Sequence, residues 1–155
     1  MKMVMITVGM PRARWVEEAG QEYVRRLSRW APIAWEHVAE AHHRPSGSKG
    51  VEEEGLRLLR SFQPRDVVVL LDEGGRSFSS VSFSQWLFEI YEGSPGRLAF
   101  VVGGAYGVSS VVRERAAFVL SLSSLTFPHE LCVVVLLEQI YRAVTLRHHI
   151  PYHHA

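Results

Sequence analysis

This sequence of 155 residues is short of lysine, of cysteine and of long apolar runs, and each shortage excludes something. The single cysteine, Cys132, rules out an intramolecular disulfide and fits a reducing cytoplasm. Its neighbours Val133, Val134 and Val135 predict a buried, inert thiol on a helix face. No apolar stretch approaches the roughly 18 residues a membrane span requires. The longest candidate, near Leu131 to Leu137, is bounded by Glu130 and Glu138. The segment Met1 to Gly9 is too short for a signal peptide and has no small-residue cleavage site, so it reads as a first strand. Walker A, G-x-S-x-G and G-x-G-x-x-G sequences are all absent, which removes the usual warrants for a P-loop enzyme, a serine hydrolase or a dinucleotide site. Net charge is only +1, so the chain does not advertise a polyanion partner.

What the sequence does hold is arginine. Lys2 and Lys49 are the only lysines among 17 basic residues. Arg12, Arg14, Arg25, Arg26 and Arg29 crowd one region, interleaved with Glu17, Glu18 and Glu22. The planar guanidinium suits phosphate. By itself the pattern better suits a solvated helix face laced with ion pairs, or a GC-rich genome that favours Arg over Lys.

The length predicts one domain over residues 1–155 with a substantial core. Strands are expected at 3–8, 33–39, 66–71, 98–102 and 118–122. Helices are expected at 13–30, 51–62, 82–91, 109–117 and 129–148, with Ser82 as an N-cap. Residues 41–50 read as a flexible loop, and Asp72-Glu73-Gly74-Gly75 as a turn. DVVVLL and LAFVV are apolar on both faces, which marks central, parallel strands. Strands alternating with helices predict an α/β sandwich with a mostly parallel sheet.

Three segments invite a ligand without proving one. Gly103-Gly104-Ala105-Tyr106-Gly107 joins a buried strand to a helix, where backbone and helix N-terminus can approach a charged group. Asp72 ends another buried strand, where open α/β sheets place ligand contacts. The serine-rich loop 121–126 offers hydroxyls and free backbone groups. Each is as readily a simple turn or connection. The chain then ends on five aromatic or imidazole groups, His148, His149, Tyr152, His153 and His154. Their spacing matches no zinc site, and no metal is expected. Phosphate contact, base stacking or proton transfer suits them better.

VGGAYG (102–107), LSSLTFPH (122–129), LEQIYRA (137–143) and PYHH (151–154) occur in one order along the chain. With MVMITVG, WVEEAGQEYVRRL and LLDEGGRSFSS, the sequence resembles, end to end, the bacterial ribosomal RNA large subunit methyltransferase H family of the SPOUT superfamily. The resemblance implies a SPOUT-type α/β sandwich with a C-terminal trefoil knot, the knot and cofactor site lying within about 70–155. It implies a homodimer in which both protomers form each site. The implied reaction is methyl transfer from S-adenosylmethionine to N3 of a pseudouridine in 23S ribosomal RNA, on the assembled ribosome in the cytoplasm. The alternatives are a SPOUT methyltransferase of another RNA, such as transfer RNA, and a non-catalytic ribosome-associated RNA-binding protein.

Carried over position by position, the resemblance assigns cofactor contacts to Leu71, Gly103, Leu122, Ser123, Ser124, Leu125, Thr126 and Phe127. It assigns catalytic roles to Arg142, Tyr152 and His153, and RNA binding to His129, Arg142, Tyr152, His153 and His154. His154 is a departure, because the family usually carries Arg or Lys there. An imidazole holds phosphate less well when neutral, so weaker or more pH-dependent RNA binding is the expectation. The arginines near the N-terminus are expected phosphate contacts.

Overall fold

The computed structural model describes residues 2–41 and 48–154, and the loop expected at 41–50 lies largely outside them. Five strands form the sheet: β1 (Met3–Val8), β2 (Ile33–Val38), β3 (Val67–Arg76), β4 (Leu98–Val102) and β5 (Phe118–Leu120). Five helices alternate with them: α1 (Arg14–Leu27), α2 (Ser48–Ser61), α3 (Ser80–Gly93), α4 (Ser110–Arg115) and α5 (His129–Arg147). The strand order is β2-β1-β4-β3-β5, and every pairing is parallel.

Parallel strands need both faces covered, and strand alternation divides the core accordingly. Met3, Met5, Val69, Leu98, Phe100 and Val102 point to one face, against α1, α3 and α5. Val4, Ile6, Val8, Val68, Leu70, Ala99 and Val101 point to the other, against Leu58 of α2 and Val112 of α4. Helix α5 packs between α1 and α3 and buries Val133, Leu136, Leu137, Ile140, Ala143 and Val144. Phe100 sits fully buried in β4 within the larger cluster. Phe100→Ala should therefore cost about 3–5 kcal/mol, through lost burial and the cavity left behind. Urea unfolding reads this as the midpoint shift multiplied by the m-value, and a loss of less than a third of that size would contradict the packing.

Several element boundaries and caps differ from the sequence expectation. β3 does not stop at Leu71. After an irregularity between Leu71 and Arg76 it pairs Arg76 with Leu120, so Asp72–Gly75 lies in a bulged strand rather than a free turn. Helix α3 starts earlier than expected, because Ser79, not Ser82, is the N-cap; its hydroxyl accepts from the Ser82 N–H at 3.1 Å. Helix α1 has no capping side chain of its own. Glu130 of α5 serves instead, accepting from the N–H groups of Arg12 (3.0 Å) and Ala13 (3.1 Å).

The arginine-rich region largely pairs with acids. Arg14 meets Glu18, Arg25 and Arg26 share Glu22, and Arg12 meets Glu40. Arg29 lies over the Trp30 ring. These exposed pairs contribute little to stability and leave the guanidiniums within reach of solvent.

A more consequential pair closes the other end of the sheet. Arg97 donates to both oxygens of the buried Asp66, at 3.0 and 2.7 Å. Burial alone would raise the Asp66 carboxyl, but the bonds from Arg97 and the Gln63 N–H outweigh it and hold its pKa below the ordinary value. A depressed folded pKa adds stability above the unfolded value of about 3.9, and that stability is lost as pH falls through the folded value. Asp66→Asn should thus lower Tm at pH 7, and the gap from the parent protein should close as pH falls toward 3. A gap independent of pH would contradict the assignment.

Candidate functional site

The carboxyl ends of β3, β4 and β5 lie side by side, which is where open parallel sheets bind ligands. The segments leaving them enclose a cavity of about 390 Å³, within the range of small-molecule sites. Leu71 and Asp72 form its β3 side, and the glycine-rich turn after Val102 its β4 side. Ser121 to Cys132 closes the third side, apart from Ser124, Glu130 and Leu131. Of the eight expected cofactor contacts, Leu71, Gly103, Leu122, Ser123, Leu125, Thr126 and Phe127 all line this one cavity. Ser124 is exposed and is not among its walls.

Local chemistry shapes these walls. Gly107 adopts φ +84°, a left-handed conformation that other residues resist, and no atom lies within 4 Å of where its Cβ would be. Its N–H donates to the Gly104 carbonyl at 3.1 Å and closes the turn. In the third wall the Ser123 hydroxyl accepts from the Leu125 N–H at 3.0 Å. The Ser121 hydroxyl donates to the Ser123 carbonyl at 3.1 Å. Internal bonds of this kind hold an irregular segment in one shape.

Asp72 is fixed as well. Arg113 of α4 donates to it at 2.8 Å and the Gly74 N–H at 2.9 Å, and these bonds hold its carboxyl below the ordinary pKa. A carboxylate therefore stands at the rim at neutral pH. Cys132 is only half-buried and lines the cavity instead of lying within the core as expected. Burial still pushes its thiol pKa up, which opposes thiolate formation.

The cavity combines apolar walls (Val102, Leu120, Leu122, Phe127, Pro128) with irregular backbone and a carboxylate. That suits a partly apolar small molecule that carries hydrogen-bonding groups and positive charge. His129, the first residue of α5, lines this cavity and a second of about 240 Å³ beside it. Glu40, Glu54, Tyr106 and Glu130 face the second cavity.

The remaining expected residues gather elsewhere. Arg142 donates Nε (3.0 Å) and Nη2 (2.6 Å) to Glu138 one helical turn earlier. Its Nη1 lies 2.9 Å from His153 Nδ1. Tyr152 donates its hydroxyl to the same Glu138 oxygen at 3.1 Å. The Tyr152 ring meets Tyr141 edge-on at 4.8 Å, and the Arg142 guanidinium lies 4.9 Å from its centroid. Burial, with Tyr23 and Glu138 nearby, raises the Tyr152 pKa well above that of a free phenol, so it stays protonated at neutral pH. His154 is exposed and stands outside this network.

None of Arg142, Tyr152, His153 and His154 lines the 390 Å³ cavity. Arg142 follows His129 by thirteen residues along α5, about 20 Å at 1.5 Å per residue. Glu138 was missed in the sequence reading. Its signal was present, since a Glu four residues before an Arg shares its helix face. Among the described residues no cluster of three or more His, Cys, Asp or Glu could hold a metal ion, and no helix is long and apolar enough to cross a membrane.

Known proteins resemble this chain in sequence and in fold. Ribosomal RNA large subunit methyltransferase H of Gloeobacter violaceus is 44% identical, covering 99% of both chains. The protein of that name from Parabacteroides distasonis is 40% identical, again over 99% of both. A crystal structure of a hypothetical protein, 14% identical, superposes with a TM-score of 0.52 over 94% of this chain and 68% of its own, which bears on the fold alone. The family model described as "Predicted SPOUT methyltransferase" matches residues 1–153. With near-complete matches to both the family model and these relatives, the chain belongs to the SPOUT methyltransferase family.

Proposed function

We propose that this protein methylates N3 of a pseudouridine in large-subunit ribosomal RNA, using S-adenosylmethionine and acting on the assembled ribosome in the cytoplasm. The observation that carries the reading is the cavity at the ends of β3, β4 and β5, walled by seven of the eight residues assigned to the cofactor from the motifs. The names of its 40–44% identical relatives supply the substrate class. Residues 1–155 act as one domain, and the C-terminal trefoil knot of the superfamily is assigned to residues from about 70 onward.

The cofactor supplies a methyl group already activated on a sulfonium, so the protein's task is alignment and charge control. The apolar side chains of Leu71, Val102, Leu122 and Phe127 line the cavity and would help hold the cofactor there and keep water out. Asp72, ionised by its bonds to Arg113 and Gly74, places negative charge at the rim. The target N3 must lose its proton, and the Arg142 guanidinium is the cation suited to the resulting ring anion. Tyr152, held protonated, serves by stacking on the extruded base, not by accepting a proton. His129 and His154 add RNA contacts, with the arginines of α1 available for phosphate.

Arg142 lies ten residues beyond Cys132, the last α5 residue lining the cavity, about 15 Å along the helix, and in the proposed homodimer the tail of a second copy completes the site. A mixing experiment tests this. At sub-saturating cofactor, Gly103→Val in one subunit and Arg142→Ala in the other should each be strongly impaired as homodimers, and should regain transfer when co-assembled. Failure of every mixed dimer to regain transfer would contradict a shared site.

A further inference from the structure

The hydrogen bonds around Glu138 fix a chemical property of the tail that the motif alone does not reveal. Arginine has donors only and does not deprotonate in proteins. At 2.9 Å from Arg142 Nη1, His153 Nδ1 must therefore be the acceptor. That leaves the ring proton on Nε2, and among the described residues no hydrogen bond engages Nε2. Arg142 can point Nη1 at His153 because Glu138 Oε1 holds its Nε and Nη2. Tyr152 bonds the same oxygen, so one carboxylate anchors both residues that flank the imidazole. The anchor is braced in turn: Gln139 donates to Glu138 Oε2 at 2.7 Å and accepts from Ser80 of α3 at 2.8 Å.

We propose that Glu138 is a positioning residue which, through Arg142, locks His153 in the Nε2–H tautomer, so that the tail presents the substrate base with a hydrogen-bond donor and not a proton acceptor. This rests on the reading of the tail as part of the methyl-transfer site. A donor at this place bonds a ring carbonyl, whose negative charge grows when the neighbouring N–H is lost. The N3 proton itself then leaves to water.

The experiment pairs tautomer with transfer. Imidazole ¹⁵N–¹H correlation spectra of the full-length protein, assigned with a His153→Gln variant, report which ring nitrogen of His153 is protonated. Transfer is measured on ribosomes lacking the modification, and cofactor affinity is measured alongside it. The expected result is an Nε2–H tautomer in the parent protein. Glu138→Ala should give mixed tautomers and lose about 10- to 100-fold in transfer, typical for a group that orients a functional side chain, with cofactor affinity unchanged. Glu138→Gln keeps an oxygen for Arg142 and should stay near the parent in both readouts. A proton on Nδ1 in the parent protein would overturn the proposal. So would Glu138→Ala preserving tautomer and transfer while Arg142→Ala abolishes transfer. Unchanged transfer in Arg142→Ala and His153→Gln as well would remove the tail from the site, and the role of Glu138 with it.

Discussion

Arg142→Ala should reduce methyl transfer to ribosomes by roughly 100- to 1,000-fold and leave affinity for S-adenosylmethionine unchanged. The magnitude is that of removing one preorganised donor from a site where negative charge develops. The separation of effects follows from geometry. Arg142 lies in the last third of α5, away from the 390 Å³ cavity, and no cavity wall depends on it. Its bonds to Glu138 and His153 instead set the shape of the tail. The fold should survive, because the apolar contacts of α5 come from Leu136, Leu137, Ile140 and Val144, which the substitution does not touch. Lysine should not rescue: it is a single ammonium and cannot hold Glu138 and His153 through a planar fork. Equal losses of cofactor binding and transfer would place Arg142 in the cofactor site and contradict this assignment.

Gly103→Val should do the reverse. A Cβ at Gly103 would stand 2.7 Å from Val108 Cγ1 and 3.4 Å from the Gly107 backbone. Val108 and Gly107 are both cavity walls, so the collision is relieved by moving the turn that shapes the cavity. Overpacking of this kind costs about 1–3 kcal/mol, or roughly 5- to 150-fold in cofactor affinity. The tail network should be intact, so transfer at saturating cofactor should recover more fully than transfer at low cofactor. Equilibrium dialysis with labelled S-adenosylmethionine measures the loss. Undiminished affinity in the valine variant would take the turn out of the site.

The sequence made much of this architecture legible because its strongest signals are local. β1 (Met3–Val8) and β4 (Leu98–Val102) are apolar on both faces and bounded by Gly9 and Gly103, and both lie in the buried middle of a parallel sheet. The cofactor segments were recognisable because glycine-rich turns and serine loops at strand ends carry a restricted composition. What escaped was set by partners distant in sequence. Asp72-Glu73-Gly74-Gly75 has turn composition, yet pairing with β5 draws it into a bulged strand. Glu130 caps a helix more than a hundred residues earlier, which no spacing rule announces. Ser124 belongs to the right motif but is exposed and is not a wall of the cavity, because a motif specifies a segment and not the surroundings of each residue. Glu138 stood inside a recognised motif without a role until Arg142, Tyr152 and His153 were found around it.

The most direct test of the central claim is transfer of radiolabelled methyl from S-adenosylmethionine to assembled ribosomes lacking the modification, with free transfer RNA as the control. The account predicts label on a large-subunit pseudouridine and none on transfer RNA. Label on transfer RNA, or no label on ribosomes despite demonstrated cofactor binding, would contradict it.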